Sequence, residues 1–270
     1  MDKDKLLEMA TDPRFISGIY NYCDRWCERC PFTSRCLTYA TEEAAFGDDP
    51  AANDINNKAY WDKLHRIFQT TLEMVKDYAE EQGIDLDSID VEEGMEEMKK
   101  DRARTRKHPL SRAAYKYGRM VDKWLDSNEA LFDEKEKELE AKSEMGIDSI
   151  TTLNAEAQDI LNALEIIRWY QHQIYVKINR ALSKDPFDDW EELQDFPKDS
   201  DGSAKVALIG MDRSIGAWGR MREHFLEKTD DLLTILLHLD RLRRYTEKEF
   251  PDARRFMRPG FDDILTERKP

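Results

Sequence analysis

Apolar residues recur at three- and four-residue intervals along four long stretches of this 270-residue chain, and strand-like alternation is nearly absent. A chain patterned this way is confined to packing helix on helix. The first stretch, 54–82, sets Tyr60, Trp61, Leu64, Ile67, Phe68, Val75 and Tyr78 on one face and stops at Gly83. The second, 110–143, follows Pro109 and carries Leu110, Ala114, Tyr117, Val121, Trp124 and Leu131. The third, 149–183, carries Leu153, Ile160, Leu164, Ile167, Ile174 and Ile178. The fourth, 203–250, contains Gly210, Gly216 and Gly219, where a kink or break is expected. A short connection at 144–149 and a longer one at 184–202 make antiparallel neighbours the simplest arrangement. The expected fold is all-α: an up-down four-helix bundle of long helices with a short N-terminal helical cysteine module.

The chain divides in this reading into a cysteine module at 1–50, a bundle at 51–250 and a C-terminal tail at 251–270. Within the module, Asp12-Pro13 reads as an N-cap followed by proline at the first helical position, and 34–46 as a second short helix ended by Gly47. A charged stretch, 91–107, is expected to be helical but weakly packed.

Lys and Arg number 42 against 57 Asp and Glu, giving a formal net charge of −15. Such a charge opposes non-specific attraction to DNA or anionic lipid. Aromatic residues make up 10% of the chain, too many for a disordered one. No apolar run is long enough for a membrane span, and MDKDKLLEMA has no apolar signal core, so a soluble, cytoplasmic protein with no membrane partner is expected.

All four cysteines lie within fourteen residues, as Cys23-x3-Cys27-x2-Cys30-x5-Cys36. On a helix, Cys23, Cys27 and Cys30 would project within ~60° of one another, and Cys36 would return after Pro31 to complete a tetrahedron. Disulfides are disfavoured in a reducing compartment, so metal ligation is the reading. Four thiolates suit structural Zn2+ or an iron–sulfur cluster alike. Cys27-Glu-Arg-Cys30-Pro-Phe-Thr-Ser-Arg-Cys36 resembles the C-x2-C-x5-C staple of RecB-like nucleases of the AddB kind. That resemblance implies a [4Fe–4S] cluster, with zinc as the alternative. It covers ten residues, and Cys23 departs from the family, whose fourth ligand is distant. No nuclease activity carries over, because the nuclease body has no counterpart here. Cys23-x3-Cys27-x2-Cys30 also matches the radical-SAM spacing, but a fourth nearby cysteine and a helical body speak against that family. Trp26, Phe32 and Tyr39 would shield a cluster or dock the module on the bundle. Arg25, Arg29 and Arg35 would offset a thiolate cluster's negative charge or be ordinary surface arginines.

Aligning the four stretches places Thr71, Asn128, Arg168, Gln171 and Thr229 near a common height on apolar faces, with Asp231, or Glu165 on its own helix, as the carboxylate for Arg168. This candidate buried polar layer would be a small-molecule site or a register-fixing network. Glu-x-x-His, the di-iron bundle signature, is absent, and His65, His172 and His238 fall on helix flanks. Glu92-Glu93-x-x-Glu96-Glu97 resembles the first half of the MazG-type pyrophosphohydrolase motif, which would bind Mg2+, but the second half is missing. Between residues 99 and 123, ten Lys and Arg face two Asp, a local balance of +8. Lys99, Lys100, Arg102, Arg104, Arg106, Lys107 and Arg112 form its candidate patch for an anion or a protein partner: RNA, a phosphate ligand, an acidic partner or an acidic part of the same chain. The connection 184–202 supplies eight acids with Phe187, Trp190, Leu193 and Phe196 at three-residue intervals, and reads as an amphipathic cap on the bundle. Three functions stay open at this point: an iron–sulfur protein in redox transfer, sensing or an interaction role; an enzyme with a cavity in the bundle; and a phosphate- or RNA-binding accessory protein.

Overall fold

The computed structural model describes residues 3–47, 54–184 and 198–262. Among the described residues there is no strand, and nine α-helices follow in order: α1 Lys3–Thr11, α2 Leu37–Phe46, α3 Lys58–Glu81, α4 Val91–Lys107, α5 Pro109–Ser127, α6 Glu129–Glu144, α7 Ile150–Leu182, α8 Asp199–His224 and α9 Thr229–Glu249. The all-α class is as expected. The chain forms two compact units, one reaching to Met98 and resuming at Met257, the other running from Lys99 to Phe256. No described helix is long and apolar enough to cross a membrane.

In the second unit α5, α7, α8 and α9 form a closed ring of neighbours, with α6 laid against α7. Their apolar stripes meet at Leu110, Tyr117, Ile167, Ile174, Leu208 and Leu239, all fully buried. Trp218 crosses the core from α8, donating its indole N–H to the Tyr117 hydroxyl at 3.1 Å and meeting the Trp124 ring edge-on at 5.1 Å. Burial pushes the Tyr117 phenol up to about 12, so it stays protonated and able to donate.

The membership of this bundle corrects the sequence reading. Stretch 54–82 became α3, which belongs to the first unit and packs on α1 and α2. Only Ala79 of α3 is buried, while Trp61, Phe68, Leu72, Val75 and Tyr78 are exposed. Amphipathicity announces a face to be covered but does not name its cover.

The single helices expected at 110–143 and 203–250 are each two. Asn128 leaves helical geometry and its amide donates to the Trp124 carbonyl at 2.7 Å, which ends α5. In the fourth stretch the break falls at Phe225–Lys228, not at the glycines. Gly210 instead marks a close helix crossing, because a Cβ there would stand 2.9 Å from the Tyr170 ring of α7. Most of the connection 184–202, including Phe187, Trp190, Leu193 and Phe196, lies outside the described residues.

Candidate metal centre

The segment between α1 and α2 is built of turns, not of helix. Pro13 stops α1 at Thr11 rather than opening a new helix, and Asp12 accepts the Arg14 N–H at 2.9 Å to begin a chain of turns. The expectation of three cysteines on one helical face therefore fails. Turn geometry achieves the convergence instead. After Cys23, the Asp24 carboxylate accepts the Trp26 N–H at 3.3 Å, and Arg25 adopts φ +58°, a left-handed conformation that side chains other than glycine rarely take. Cys27 opens one short 3₁₀ turn and Cys30 closes it; Thr33–Arg35 forms a second, which Cys36 closes at the start of α2. The backbone N–H groups of Cys30 and Cys36 donate to the Cys27 and Thr33 carbonyls at 3.1 and 3.2 Å.

All four cysteines line one small cavity of about 30 Å³, walled by Trp26, Phe32, Tyr39 and Phe261. On that measure a single water needs only ~10–15 Å³. The cysteines are free thiols, each partly buried. Cys30 Sγ accepts the Phe32 N–H at 3.4 Å, and the Cys23 thiol donates to the Tyr20 carbonyl at 3.4 Å. Burial first, then Glu42 and the other three cysteines, push the Cys27 thiol up to about 11. Burial likewise raises Cys30, against the opposing effect of the Phe32 N–H. At Cys27 and Cys30 the pocket thus favours the neutral thiol, and thiolate ligands would form there only as a cation replaced their protons. Among the described residues no three His, Cys, Asp or Glu side chains stand as the ligands of a single ion.

Two features of this wall escaped the sequence reading. Of the segment 251–270, read as a tail, the described residues 257–262 belong to the first unit. Phe261 packs edge-on against Phe32 at 5.1 Å, and Gly260, with φ +75°, sits where a Cβ would come within 2.9 Å of Ile16 and Ile19. The bidentate Arg258–Asp262 pair, at 2.9 and 3.1 Å and largely buried, fixes this turn. The second is Glu42, one turn into α2, which lines the cavity and lies 4.0 Å from Arg25. Arg25, Arg29 and Arg35 are all exposed, and Arg29 lies 4.2 Å above the Trp26 ring.

No family model, curated protein or solved structure matches this chain. The cavity must be read on its own chemistry.

The other candidates fare differently. The polar layer does not form. Arg168 is exposed, as is Asp231, and Thr71 is exposed on α3 in the other unit. Arg168 lies ~100° round from Ile167, whose side of α7 is the buried one. Thr229 donates to the Leu226 carbonyl at the start of α9, and Asn128 serves the end of α5. Gln171 is buried, donating to Asp122 at 3.1 Å.

The histidines do not converge: His65 is exposed, His172 meets Gln171, and His238 donates to the Ala113 carbonyl. Glu92, Glu93, Glu96 and Glu97 are exposed on α4. The seven basic patch residues are exposed too, and Arg104 both pairs with Asp101 and donates to the Leu182 carbonyl at the end of α7.

Proposed function

We propose that Cys23, Cys27, Cys30 and Cys36 hold a [4Fe–4S] cluster, and that this acidic helical protein serves redox transfer, sensing or an interaction through it. The observation that carries the reading is that every cysteine of the chain lines one apolar cavity, although no helix aligns them. Chance placement would not spend an unfavourable Arg25 conformation and two 3₁₀ turns on that convergence. The donor type fits the group: four soft cysteine sulfurs that would bind as thiolates, of which Cys30 Sγ already accepts an N–H bond of the kind that tunes cluster sulfurs. The likeness of residues 27–36 to the AddB-type staple points the same way.

Structural zinc would use the same four ligands. The spacing of Cys27, Cys30 and Cys36, which resembles the AddB-type staple, favours the cluster over zinc. Four neighbouring free thiols also suit the cytoplasm, where they stay reduced. The absorption spectrum of anaerobically purified protein tests the reading. A broad band at about 400 nm, bleached by dithionite, is the expected result for a thiolate-ligated cluster. A colourless protein with one tightly held zinc would replace it with the zinc reading.

A further inference from the structure

The basic stretch gains a shape in the second unit. Arg106, Arg112, Lys116, Tyr115, Tyr175 and His238 line an open groove of about 650 Å³, a volume in the range of small-ligand sites. Arg106 comes from the end of α4, Arg112, Tyr115 and Lys116 from α5, Tyr175 from α7 and His238 from α9. Along α5 the cations continue beyond the groove: Arg112, Lys116, Arg119 and Lys123 fall within a ~60° arc and span about 16 Å of helix. Like charges at i, i+3 and i, i+4 destabilise a helix by ~0.2–0.5 kcal/mol per pair, so nothing in α5 itself favours this ridge.

The chain has 57 carboxylates, yet among the described residues Arg106, Arg112, Lys116 and Lys123 form no ion pair, and Arg119 reaches Asp122 only at 3.9 Å. Beside the ridge, Tyr115 is 58% exposed, its ring held edge-on to Tyr175 at 5.7 Å. His238 donates Nε2–H to the Ala113 carbonyl at 2.9 Å, which joins α9 to the groove floor.

The geometry points to a binding site for single-stranded nucleic acid, with the backbone phosphates tracking Arg112, Lys116, Arg119 and Lys123 and an unstacked base lying on Tyr115. Phosphates answer the row of cations, which supply the sequence-independent electrostatic part of nucleic-acid binding. An exposed tyrosine face beside that row serves a splayed base, which a duplex does not offer. The net charge of −15 keeps other polyanions from binding elsewhere and leaves this +8 stretch as the local attractor. The site lies wholly in the second unit and does not depend on the metal reading.

The test is fluorescence anisotropy of the full chain with labelled ten-nucleotide oligouridylate and oligodeoxythymidylate between 20 and about 200 mM salt. Three to four phosphate contacts give an expected log–log salt slope of about −2 to −3. The double variant Arg112→Ala/Lys116→Ala, with helical circular dichroism unchanged, is expected to flatten that slope by about 1.4. Tyr115→Ala is expected to weaken binding at least about 5-fold, as loss of one stacked base does. Binding of both strands in this manner supports a single-strand site, and a preference between them assigns RNA or DNA. No binding at 20 mM salt, equal binding of a duplex with Tyr115→Ala inert, or equal competition by free uridine monophosphate would each overturn the proposal.

Discussion

The two units solve the problem of staying folded in opposite ways. From Lys99 to Phe256, four helices bury a continuous core running from Leu110 to Leu242, with aromatic contacts linking Trp218, Trp124, Phe132 and Phe225. In the first unit only Ile19, Trp26 and Ala79 are buried apolar residues among those described, and its cysteine segment is made of turns. Small modules with so little core need a staple. The bundle is stabilised by area removed from water, and the cysteine module, on the proposed reading, by bonds to a metal. Changes that break one unit should therefore leave the other standing.

The largest effect is expected at the cysteines. Structural metal sites contribute on the order of 10 kcal/mol of apparent folding free energy. Cys27→Ser is expected to abolish hydrogen-exchange protection across residues 12–46, while exchange in α5, α7, α8 and α9 and the helical circular dichroism stay close to wild type. Unchanged protection at 12–46 would show that the module stands without a metal. Trp218→Ala makes the reverse cut. It removes a fully buried ring and the N–H that the Tyr117 hydroxyl accepts, and should lower bundle stability in urea by ~3–5 kcal/mol with metal content retained.

How far the sequence reaches differs between the two units as well. Periodicity found the helices of the bundle because their faces are set by residues three and four apart. It missed the break at Phe225–Lys228, which carries neither glycine nor proline and is held by Phe225 turning into the core. It misplaced Arg168 because period alone leaves the edge of an apolar face undefined, and Arg168, next to the buried Ile167, falls outside the buried stripe. The cysteine cluster was legible from spacing alone. Its geometry was not, since an Asp24 turn, a left-handed Arg25 and two 3₁₀ turns leave no period in the sequence. Phe261 was invisible for a different reason: more than 200 residues separate it from Cys36, and only the folded chain brings them to one wall.

That wall offers a finer cut. Phe261→Ala should leave the bundle untouched and open the cavity to solvent, so that bound metal is lost to a chelator several-fold faster. An unchanged rate would mean that Phe261 only covers the module and does not seal it.

The smallest effect concerns the charged edge of the second unit. Lys142 on Glu138, within α6, and Lys135 on Glu156, across to α7, hold these carboxyls below the usual carboxylate range, and the second pair ties α6 to α7. A lowered folded-state pKa stabilises above the unfolded value of 4.5 and is lost as pH falls through the lowered one. Acidification from pH 5 to about 3 is expected to loosen α6 by no more than ~1 kcal/mol, since solvent screens the half-exposed Glu138. Hydrogen exchange in α6 across that range reads it, and loosening that began near neutral pH would assign the contact to other groups.

The central claim is that the four cysteines together hold one iron–sulfur group, and metal stoichiometry tests it most directly. Iron, acid-labile sulfide and zinc would be measured per chain in anaerobically purified wild type and in the Cys27→Ser/Cys30→Ser double variant. The wild type should carry about four iron and four sulfide per chain and the variant none. Iron and sulfide absent from both, or unchanged between them, would contradict it.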